Sequence, residues 1–268
     1  MNKTDFFKIA NGVTIPAIGF GTWQIPSGEV TYNSVREALK AGYRHIDTAQ
    51  AYGNEASVGK AVLDSGIPRS EIFVTSKLPA EIKSYEKAVR HASLTMKNIG
   101  LDYIDLYLIH APWPWSEIGA DYTKENIGVW KAMEEFYESG KTRSIGISNF
   151  NVRDIESILG KCHIRPMVNQ IKLHIGHQQE EITEFCQRNN ILIEGYSPLA
   201  TGKILNDPEI ARIAEKYGKS VAQISVRYVL QKGALPLPKS VHPEYIRQNF
   251  DINFEIQDDD IRRLDSLK

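Results

Sequence analysis

Four polar residues in the first half of the chain could together form a proton-donating site. Asp47, Lys77 and His110 lie at or just after the ends of short apolar runs, and Tyr52 lies in the loop after the first run. If these runs are neighbouring parallel strands, their carboxyl ends meet at one mouth and bring the side chains together. Each residue has a structural interpretation alone, as a cap, loop packing, a solvated charge or a satisfied polar group. Their recurrence at successive strand ends favours a site.

The chemistry of such a group is acid catalysis by a tyrosine. A free phenol has a pKa of ~10, too high for efficient proton donation near neutrality. A lysine cation ~4 Å away, at an effective dielectric constant of ~20, stabilises the phenolate by ~4 kcal/mol. We therefore expect Lys77 to lower the pKa of Tyr52 by up to ~3, before burial opposes the effect. Asp47 would hold Lys77 charged, and His110 could donate to a carbonyl oxygen while another group attacks the carbon.

The elements that must position these residues are alternating strands and helices. Apolar runs predict strands near Ile18 and in residues 42–46, 72–74, 104–109, 144–147, 167–168, 191–193 and 234–237. Three- and four-residue spacing of apolar residues predicts helices in residues 85–99, 126–139, 180–189 and 220–231. Eight strand-helix units without a linker favour a (β/α)8 TIM barrel, over residues 1–268 as one domain, rather than a doubly wound sheet. Asn11-Gly12, between two short apolar runs, predicts a preceding β-hairpin that caps the bottom of the barrel.

Composition limits the classes of partner. Of 268 residues, 32 are Lys or Arg and 33 are Asp or Glu, so a broad nucleic-acid-binding or anionic-membrane-binding surface is not expected. No apolar run approaches the ~20 residues of a membrane span, and the first residues are unlike a signal peptide. Cys162 and Cys186 are too few for a disulfide framework. His174 and His177 lack a matching acidic or thiolate partner, so no metal site is expected. We expect a cytoplasmic protein.

Seven segments closely resemble the aldo-keto reductases over nearly the whole chain. They are residues 19–23, 42–49 with Tyr52, Asn54 and Glu55, 104–114, 140–150, 169–170, 196–199 and 238–240, in the order that the family shows. The resemblance implies a (β/α)8 barrel that binds an extended nicotinamide dinucleotide and passes its hydride to an aldehyde or ketone carbon. The resemblance makes Tyr52 the proton donor, and Lys77 and Asp47 the residues that adjust its pKa. His110 would orient the carbonyl group.

The same resemblance implies a cofactor-binding set that includes Asp47. Ser148, Asn149 and Gln170 would hold the carboxamide, and Tyr196 would stack on the nicotinamide. Lys239 and Ser240 would meet the 2′-phosphate. The rest of the set is Thr22, Trp23, Ser197, Leu199, Val241, Tyr245, Gln248 and Asn249. The implied substrate-binding residues are Trp23, Tyr52, His110 and Trp113, with Trp115 as a further apolar wall.

The phosphate-binding segment departs from the family pattern. The family usually places an arginine five residues after the position of Ser240, but this chain has Tyr245, and Gln248 replaces a frequent glutamate. Arg247 is a candidate for the missing cation. Either Lys239 alone is enough to bind the 2′-phosphate, or the protein has lost part of its preference for a cofactor that carries this phosphate. We expect NADPH to be favoured over NADH by a reduced margin, with NADH still possible.

We expect a monomeric enzyme that reduces carbonyl compounds, but the sequence leaves two other functions open. Some relatives of this fold act mainly as nicotinamide-nucleotide-binding regulatory subunits, with little turnover. A barrel isomerase would need no nicotinamide and would make the segment at Lys239 coincidental. The presence of Asp47, Tyr52, Lys77 and His110 together favours the reductase.

Overall fold

The chain begins with a two-stranded hairpin at the lower end of a barrel. In the computed structural model, which describes residues 1–267, β1 (Phe6–Lys8) pairs antiparallel with β2 (Thr14–Pro16). Gly12 in the connecting turn has a φ of 86°, a left-handed conformation that glycine adopts without strain. The Asn11 side chain donates to the carbonyl of Arg143, two residues before the barrel strand over residues 145–148 begins. The hairpin therefore caps the amino ends of the barrel strands, as predicted.

Eight parallel strands make up the barrel. They are β3 (Phe20–Gly21), β4 (His45–Asp47), β5 (Phe73–Leu78), β6 (Leu106–Ile109), β7 (Ile145–Ser148), β8 (Val168–Lys172), β9 (Leu192–Tyr196) and β10 (Leu235–Leu237). Each strand pairs in parallel with the next along the chain. Backbone bonds from Gly19 to Pro236 and from Gly21 to Pro238 join the first strand to the last. The predicted (β/α)8 barrel is confirmed.

Ten α-helices surround this sheet within residues 1–267. They are α1 (Glu29–Ala41), α2 (Glu55–Leu63), α3 (Tyr85–Ile99), α4 (Thr123–Glu138), α5 (Val152–Leu159), α6 (Glu180–Arg188), α7 (Pro208–Tyr217), α8 (Val221–Gln231), α9 (Pro243–Phe250) and α10 (Asp258–Asp265). Ser220, predicted to open α8, caps it through the backbone N–H of Gln223. No helix in the described part of the chain is long and apolar enough to cross a membrane.

Polar side chains fill the upper interior of the barrel. All six residues of β5 are buried, because helices cover one face and the barrel interior covers the other. Side chains alternate between these faces, so Thr75 and Lys77 point inward while Ser76 points outward to Glu55 of α2. Buried charges of this kind are rare in a core unless they are paired, which directs attention to the upper end of the barrel.

Candidate active site

A cleft of about 1040 Å³ opens at the carboxyl ends of the strands. This is the edge at which barrels of this type carry their functional residues. The sequence-predicted residues on its wall are Trp23, Asp47, Tyr52, His110, Trp115, Ser148, Asn149, Gln170, Tyr196, Ser197, Leu199, Lys239, Ser240, Tyr245, Gln248 and Asn249. The cleft thus collects, in one place, side chains that are up to 226 positions apart in the chain, from Trp23 to Asn249.

Lys77 and Asp47 form a buried ion pair below the floor of the cleft. The Lys77 Nζ atom lies 2.6 Å from Oδ1 of Asp47, and the lysine side chain is fully buried. The same nitrogen donates to the carbonyl of Thr48 at 2.9 Å and to the Tyr52 hydroxyl at 3.4 Å. These three acceptors match the three N–H groups of an ammonium. Burial lowers the pKa of Lys77, but Asp47 and Tyr52 together raise it by more. The net pKa therefore lies above the ordinary value of a lysine.

Tyr52 reaches the lysine from a short turn after β4. Residues Gln50–Tyr52 form a single 3₁₀ turn that ends at Gly53, whose φ is 69°. Gln50 is fixed by His91, whose Nδ1 lies 2.7 Å from the Gln50 side-chain oxygen. Buried Asn54 donates to the carbonyls of Thr22 and Ile25 and so ties this turn to the first barrel loop. The tyrosine is therefore held on a rigid support.

Lys77 lowers the pKa of Tyr52 as expected, but burial outweighs this effect, and the net pKa lies above that of a free phenol. Burial raises it most, Lys77 lowers it through its charge and its hydrogen bond, and Asp47 raises it again. The aspartate screens part of the lysine charge, because it pairs with the same ammonium. Tyr52 consequently keeps its proton throughout the neutral range, where it can serve as a proton donor.

His110, directly after β6, faces Tyr52 as a neutral imidazole. Its Nε2 lies 3.5 Å from the Tyr52 hydroxyl oxygen. Burial, together with the charge of Lys77, lowers the pKa of His110 to about 3. Its Nδ1 is buried without a hydrogen-bond partner among residues 1–267. A ligand oxygen at the cleft floor would therefore meet the Tyr52 hydroxyl and Nε2 of a neutral histidine side by side.

A hydrogen-bonded group of three residues forms the wall beside His110. Asn149 adopts a φ of 63°, and its amide nitrogen donates to the carbonyl of His110 and to Oγ of Ser148. The Tyr196 hydroxyl donates to the side-chain oxygen of Asn149 at 2.8 Å. These contacts fix the Tyr196 ring, which is half-buried at the cleft surface and presents a flat face to a ligand.

Gln170 connects Asp47 to a buried carboxyl group that the sequence analysis overlooked. The Gln170 amide nitrogen donates to Oδ2 of Asp47 at 2.8 Å and to Oε2 of Glu194 at 2.7 Å. Burial, reinforced by the nearby Asp47 charge, raises the pKa of Glu194 to about 8. Alternation along β9 contained the signal, since Glu194 is two residues before Tyr196 and shares its inward face.

The far end of the cleft carries a cation and an unsatisfied amide. Lys239 is exposed there, and Oδ1 of buried Asn249 has no hydrogen-bond partner within the described residues. Arg247, the candidate for the missing cation, lies off the cleft wall, with its guanidinium 3.4 Å from Glu37 of α1. Tyr245 is 53% exposed and packs edge-on against His242. Lys239 is thus the cationic side chain on the described wall of the cleft.

Four sequence-predicted residues lie off the cleft wall, and one of them is Lys77, buried below the cleft floor. Thr22 is fully buried and donates through Oγ1 to the carbonyl of Asp47, so it supports the site from behind. Val241 is exposed outside the cleft. Trp113, expected to bind substrate, is half-buried and packs against Trp115. Trp115, expected to be a further apolar wall, does line the cleft.

No metal-binding arrangement accompanies these groups in residues 1–267. There, no cluster of three or more His, Cys, Asp or Glu side chains is placed to hold an ion. His174 and His177 stack with ring centroids 5.4 Å apart, without a third ligand. The arrangement can therefore place a phenol hydroxyl and a neutral imidazole against one ligand oxygen, above a buried lysine–aspartate pair.

Comparison with known proteins gives a consistent result. The model of the Aldo/keto reductase family matches residues 17–268. The glyoxal reductase of Bacillus subtilis is 40% identical over 98% of this chain and 92% of its own length. The crystal structure of an aldo/keto reductase from Brucella melitensis has a TM-score of 0.92 at 41% identity, covering 99% of this chain and all of that one. An aldo-keto reductase of Bombyx mori, solved in complex with NADP, has a TM-score of 0.87 at 33% identity, covering 99% and 93%.

Proposed function

Because the chain belongs to the Aldo/keto reductase family, an oxidoreductase family that uses NADP, we propose that it reduces an aldehyde or ketone with NADPH as hydride source. The observation that carries this proposal is the Tyr52 hydroxyl, which lies 3.4 Å from Lys77 Nζ and 3.5 Å from His110 Nε2 at the floor of the cleft. A carbonyl oxygen at this point would receive two hydrogen bonds. It would therefore be polarised before the carbon is attacked.

In this proposal Tyr52 gives its hydroxyl proton to the carbonyl oxygen as the carbon gains the hydride. The C=O π bond breaks, its electron pair goes to the oxygen, and the O–H bond of the phenol supplies the proton. Lys77 stabilises the phenolate left behind, and Asp47 keeps Lys77 charged. His110 donates from Nε2 and orients the substrate, since a neutral imidazole has one N–H to offer.

The residues of the cleft fit a nicotinamide dinucleotide. Tyr196 offers an aromatic face, and Ser148, Asn149 and Gln170 offer amide and hydroxyl groups next to Tyr52, as a nicotinamide carboxamide requires. At the other end, the unpartnered Oδ1 of Asn249 would accept from an amino group such as that of adenine. We assign these residues to cofactor binding.

Lys239 and Ser240 supply the preference for NADPH in this proposal. An exposed lysine and a hydroxyl suit a 2′-phosphate, but Tyr245 brings no charge, and Arg247 is engaged by Glu37. One charge-assisted hydrogen bond contributes ~1.5–3 kcal/mol. We therefore infer that NADPH is preferred over NADH by a small margin.

The substrate side of the cleft is apolar. Trp115 packs edge-on against His110 at 5.5 Å between ring centroids, and Trp23, which is 44% exposed, lines the same cleft. We propose that these two indoles contact the substrate, with Tyr52 and His110 at its oxygen. Aldehydes and ketones with an apolar or aromatic substituent suit such a surface.

The test is the initial rate of NADPH and NADH oxidation with an activated aromatic aldehyde. Tyr52→Phe should bind NADPH almost unchanged, as measured by quenching of tryptophan fluorescence, and lose a factor of ~10²–10⁴ in turnover. Tyr43→Phe is the matched control, because its buried hydroxyl has no partner in the described residues and lies away from the cleft. Wild-type turnover by Tyr52→Phe would refute the assignment of the acid.

We also infer that the protein works as a monomer in the cytoplasm. Cys162 and Cys186 are both free thiols, which suits a reducing compartment. Cofactor binding without turnover across a wide panel of carbonyl compounds would instead support a regulatory subunit. Sedimentation with and without NADPH tests the oligomeric state.

A further inference from the structure

Glu194 lies at the buried end of a polar chain that leads to the Tyr52 hydroxyl. The chain runs from Glu194 to the Gln170 amide at 2.7 Å, to Asp47 at 2.8 Å, to Lys77 at 2.6 Å and to Tyr52 at 3.4 Å. Every link lies within 3.5 Å. A charge on Glu194 would therefore act on the same lysine that stabilises the phenolate.

Ionisation of either carboxyl group, Asp47 or Glu194, disfavours ionisation of the other. Asp47 and Glu194 accept from the same amide nitrogen of Gln170, so ionising both would place two negative charges on either side of one NH₂ group. Lys77 is bonded to Asp47 and neutralises it. Glu194 has no such partner, and its Oε1 is buried without a hydrogen bond within residues 1–267. Of the two, Glu194 is the carboxyl that keeps its proton at neutral pH.

Within residues 1–267, Lys77 is the cation near Glu194, and no second one accompanies it. His45 of β4 has Nε2 at 4.0 Å from Oε1 of Glu194, but burial and Lys77 lower the pKa of His45 to about 3, so it stays neutral. On β10 the register partner of Glu194 is Leu235, which is apolar, and on β8 the partner is Gln170. Asp47 and Lys77 are therefore the charged groups that face it.

We propose that Glu194 is a positioning residue for proton transfer, a carboxylic acid whose ionisation weakens Tyr52 as a proton donor through Gln170, Asp47 and Lys77. The inference rests on the proposed reductase function. While Glu194 is neutral, the buried cluster contains one cation and one anion. Once Glu194 ionises, a second negative charge holds Lys77 more firmly and disfavours the phenolate, so carbonyl reduction slows.

The first test is the pH profile of kcat/KM for the aldehyde at saturating NADPH. Because the pKa of Glu194 is about 8 and that of Tyr52 lies above the value of a free phenol, the wild-type rate should fall near pH 8. In Glu194→Gln this fall should move up by about one pH unit or more. Glu55→Gln is the matched control, since Glu55 is a buried carboxyl outside the barrel interior, and its profile should follow the wild type.

A second variant separates charge from hydrogen bonding. Glu194→Met removes the acceptor for Gln170 as well as the titrating group, so its KM for NADPH should rise while its alkaline fall shifts as in Glu194→Gln. The protonation state is also read directly, without turnover. The infrared band of a protonated carboxyl should be present at pH 7 in the wild type, disappear as pH passes 8, and be absent from Glu194→Gln.

Each outcome has a distinct meaning. A shifted profile together with a missing infrared band supports the proposal. An alkaline fall near pH 8 that persists in Glu194→Gln, or a carboxyl band that this variant retains, overturns it while the reductase function stands. A wild type that reduces no carbonyl compound overturns both, and the infrared result then describes a buried acid without a part in proton transfer.

Discussion

Lys77 Nζ lies 2.6 Å from Oδ1 of Asp47, with the lysine side chain fully buried and 5% of the aspartate side chain exposed. A buried pair of this kind gains little over a well-packed apolar pair, because both charges must leave water. Breaking it leaves one buried charge alone, which is much worse. The pair is best explained by its contact with Tyr52, since stability alone would not require it.

Lys77→Met should reduce both stability and turnover, because it leaves Asp47 ionised and unpaired. We expect a loss of about 3–5 kcal/mol in the free energy of unfolding, measured by urea denaturation. Turnover should fall by at least ~10², since the phenolate loses its cation. Adding Asp47→Asn should restore part of the stability and none of the turnover.

Two observations would contradict this account of the ion pair. One is a Lys77→Met protein with wild-type turnover, and the other is a double variant no more stable than the single one. Lys60→Met is the control, because Lys60 pairs with Asp64 on the exposed surface of α2 at 2.5 Å. Its free energy of unfolding should stay close to that of the wild type, since exposed ion pairs contribute little.

Tyr245→Arg should strengthen binding of NADPH and leave binding of NADH unchanged. The new guanidinium would add one charge-assisted contact to a 2′-phosphate, and we expect the dissociation constant to fall by a factor of ~10 or more. Fluorescence titration with both cofactors measures it, and NADH is the internal reference because it lacks that phosphate. Leu63→Arg, which adds the same charge on exposed α2, should change neither constant. Equal gains for both cofactors would argue against a 2′-phosphate site at Lys239.

The order of the barrel elements follows from the sequence because local patterns determine it. The predicted helix over residues 85–99 has the observed bounds, since Ser84 caps it and Gly100 ends it in a left-handed conformation. Strand ends were predicted as the place where polar residues converge, and Asp47 and His110 do meet at the cleft. The helix bounds depend on neighbours in sequence. The convergence of polar residues depends on a general property of parallel barrels, whose functional residues lie at the carboxyl ends of the strands.

Features that depend on distant contacts escaped prediction. Two indoles near a loop with two prolines look equivalent in sequence, and only the folded loop turns Trp115 rather than Trp113 towards His110. The raised pKa of Tyr52 depends on its burial at the cleft floor, which outweighs the lysine charge on which the expectation rested. The contact of Arg247 with Glu37 joins residues 210 positions apart, so the sequence alone does not indicate where this guanidinium lies.

Trp115→Ala should slow the reduction of aromatic aldehydes more than that of aliphatic ones. Trp115 lines the cleft and packs edge-on against His110, so its loss removes an apolar wall beside the carbonyl site. We expect kcat/KM for benzaldehyde to fall roughly tenfold, equivalent to ~1.4 kcal/mol, with a smaller change for propanal. Trp113→Ala is the matched control and should have less effect, since Trp113 lies off the wall. Equal losses for both aldehydes would show that Trp115 acts on His110 and not on the substrate.

Glu194→Gln should be increasingly more stable than the wild type as pH rises from about 5 to 8. The carboxyl has a pKa of 4.5 when unperturbed and about 8 in the folded protein. Between these values the folded state keeps a proton that the unfolded state has lost, so raising the pH favours unfolding by up to about 1.4 kcal/mol per pH unit. Below pH 4.5 both states are protonated, and this contribution vanishes.

Glutamine does not titrate, so the difference between the two unfolding free energies isolates Glu194. Urea denaturation at pH 5, 6.5 and 8 measures it, with Glu138→Gln on the exposed end of α4 as a control whose difference should stay flat. A difference that is equally flat for Glu194→Gln would mean that the folded protein already holds Glu194 ionised at pH 5. Gln170 would then lie between two charged carboxylates, and the pH dependence of catalysis would have to arise from Tyr52 itself.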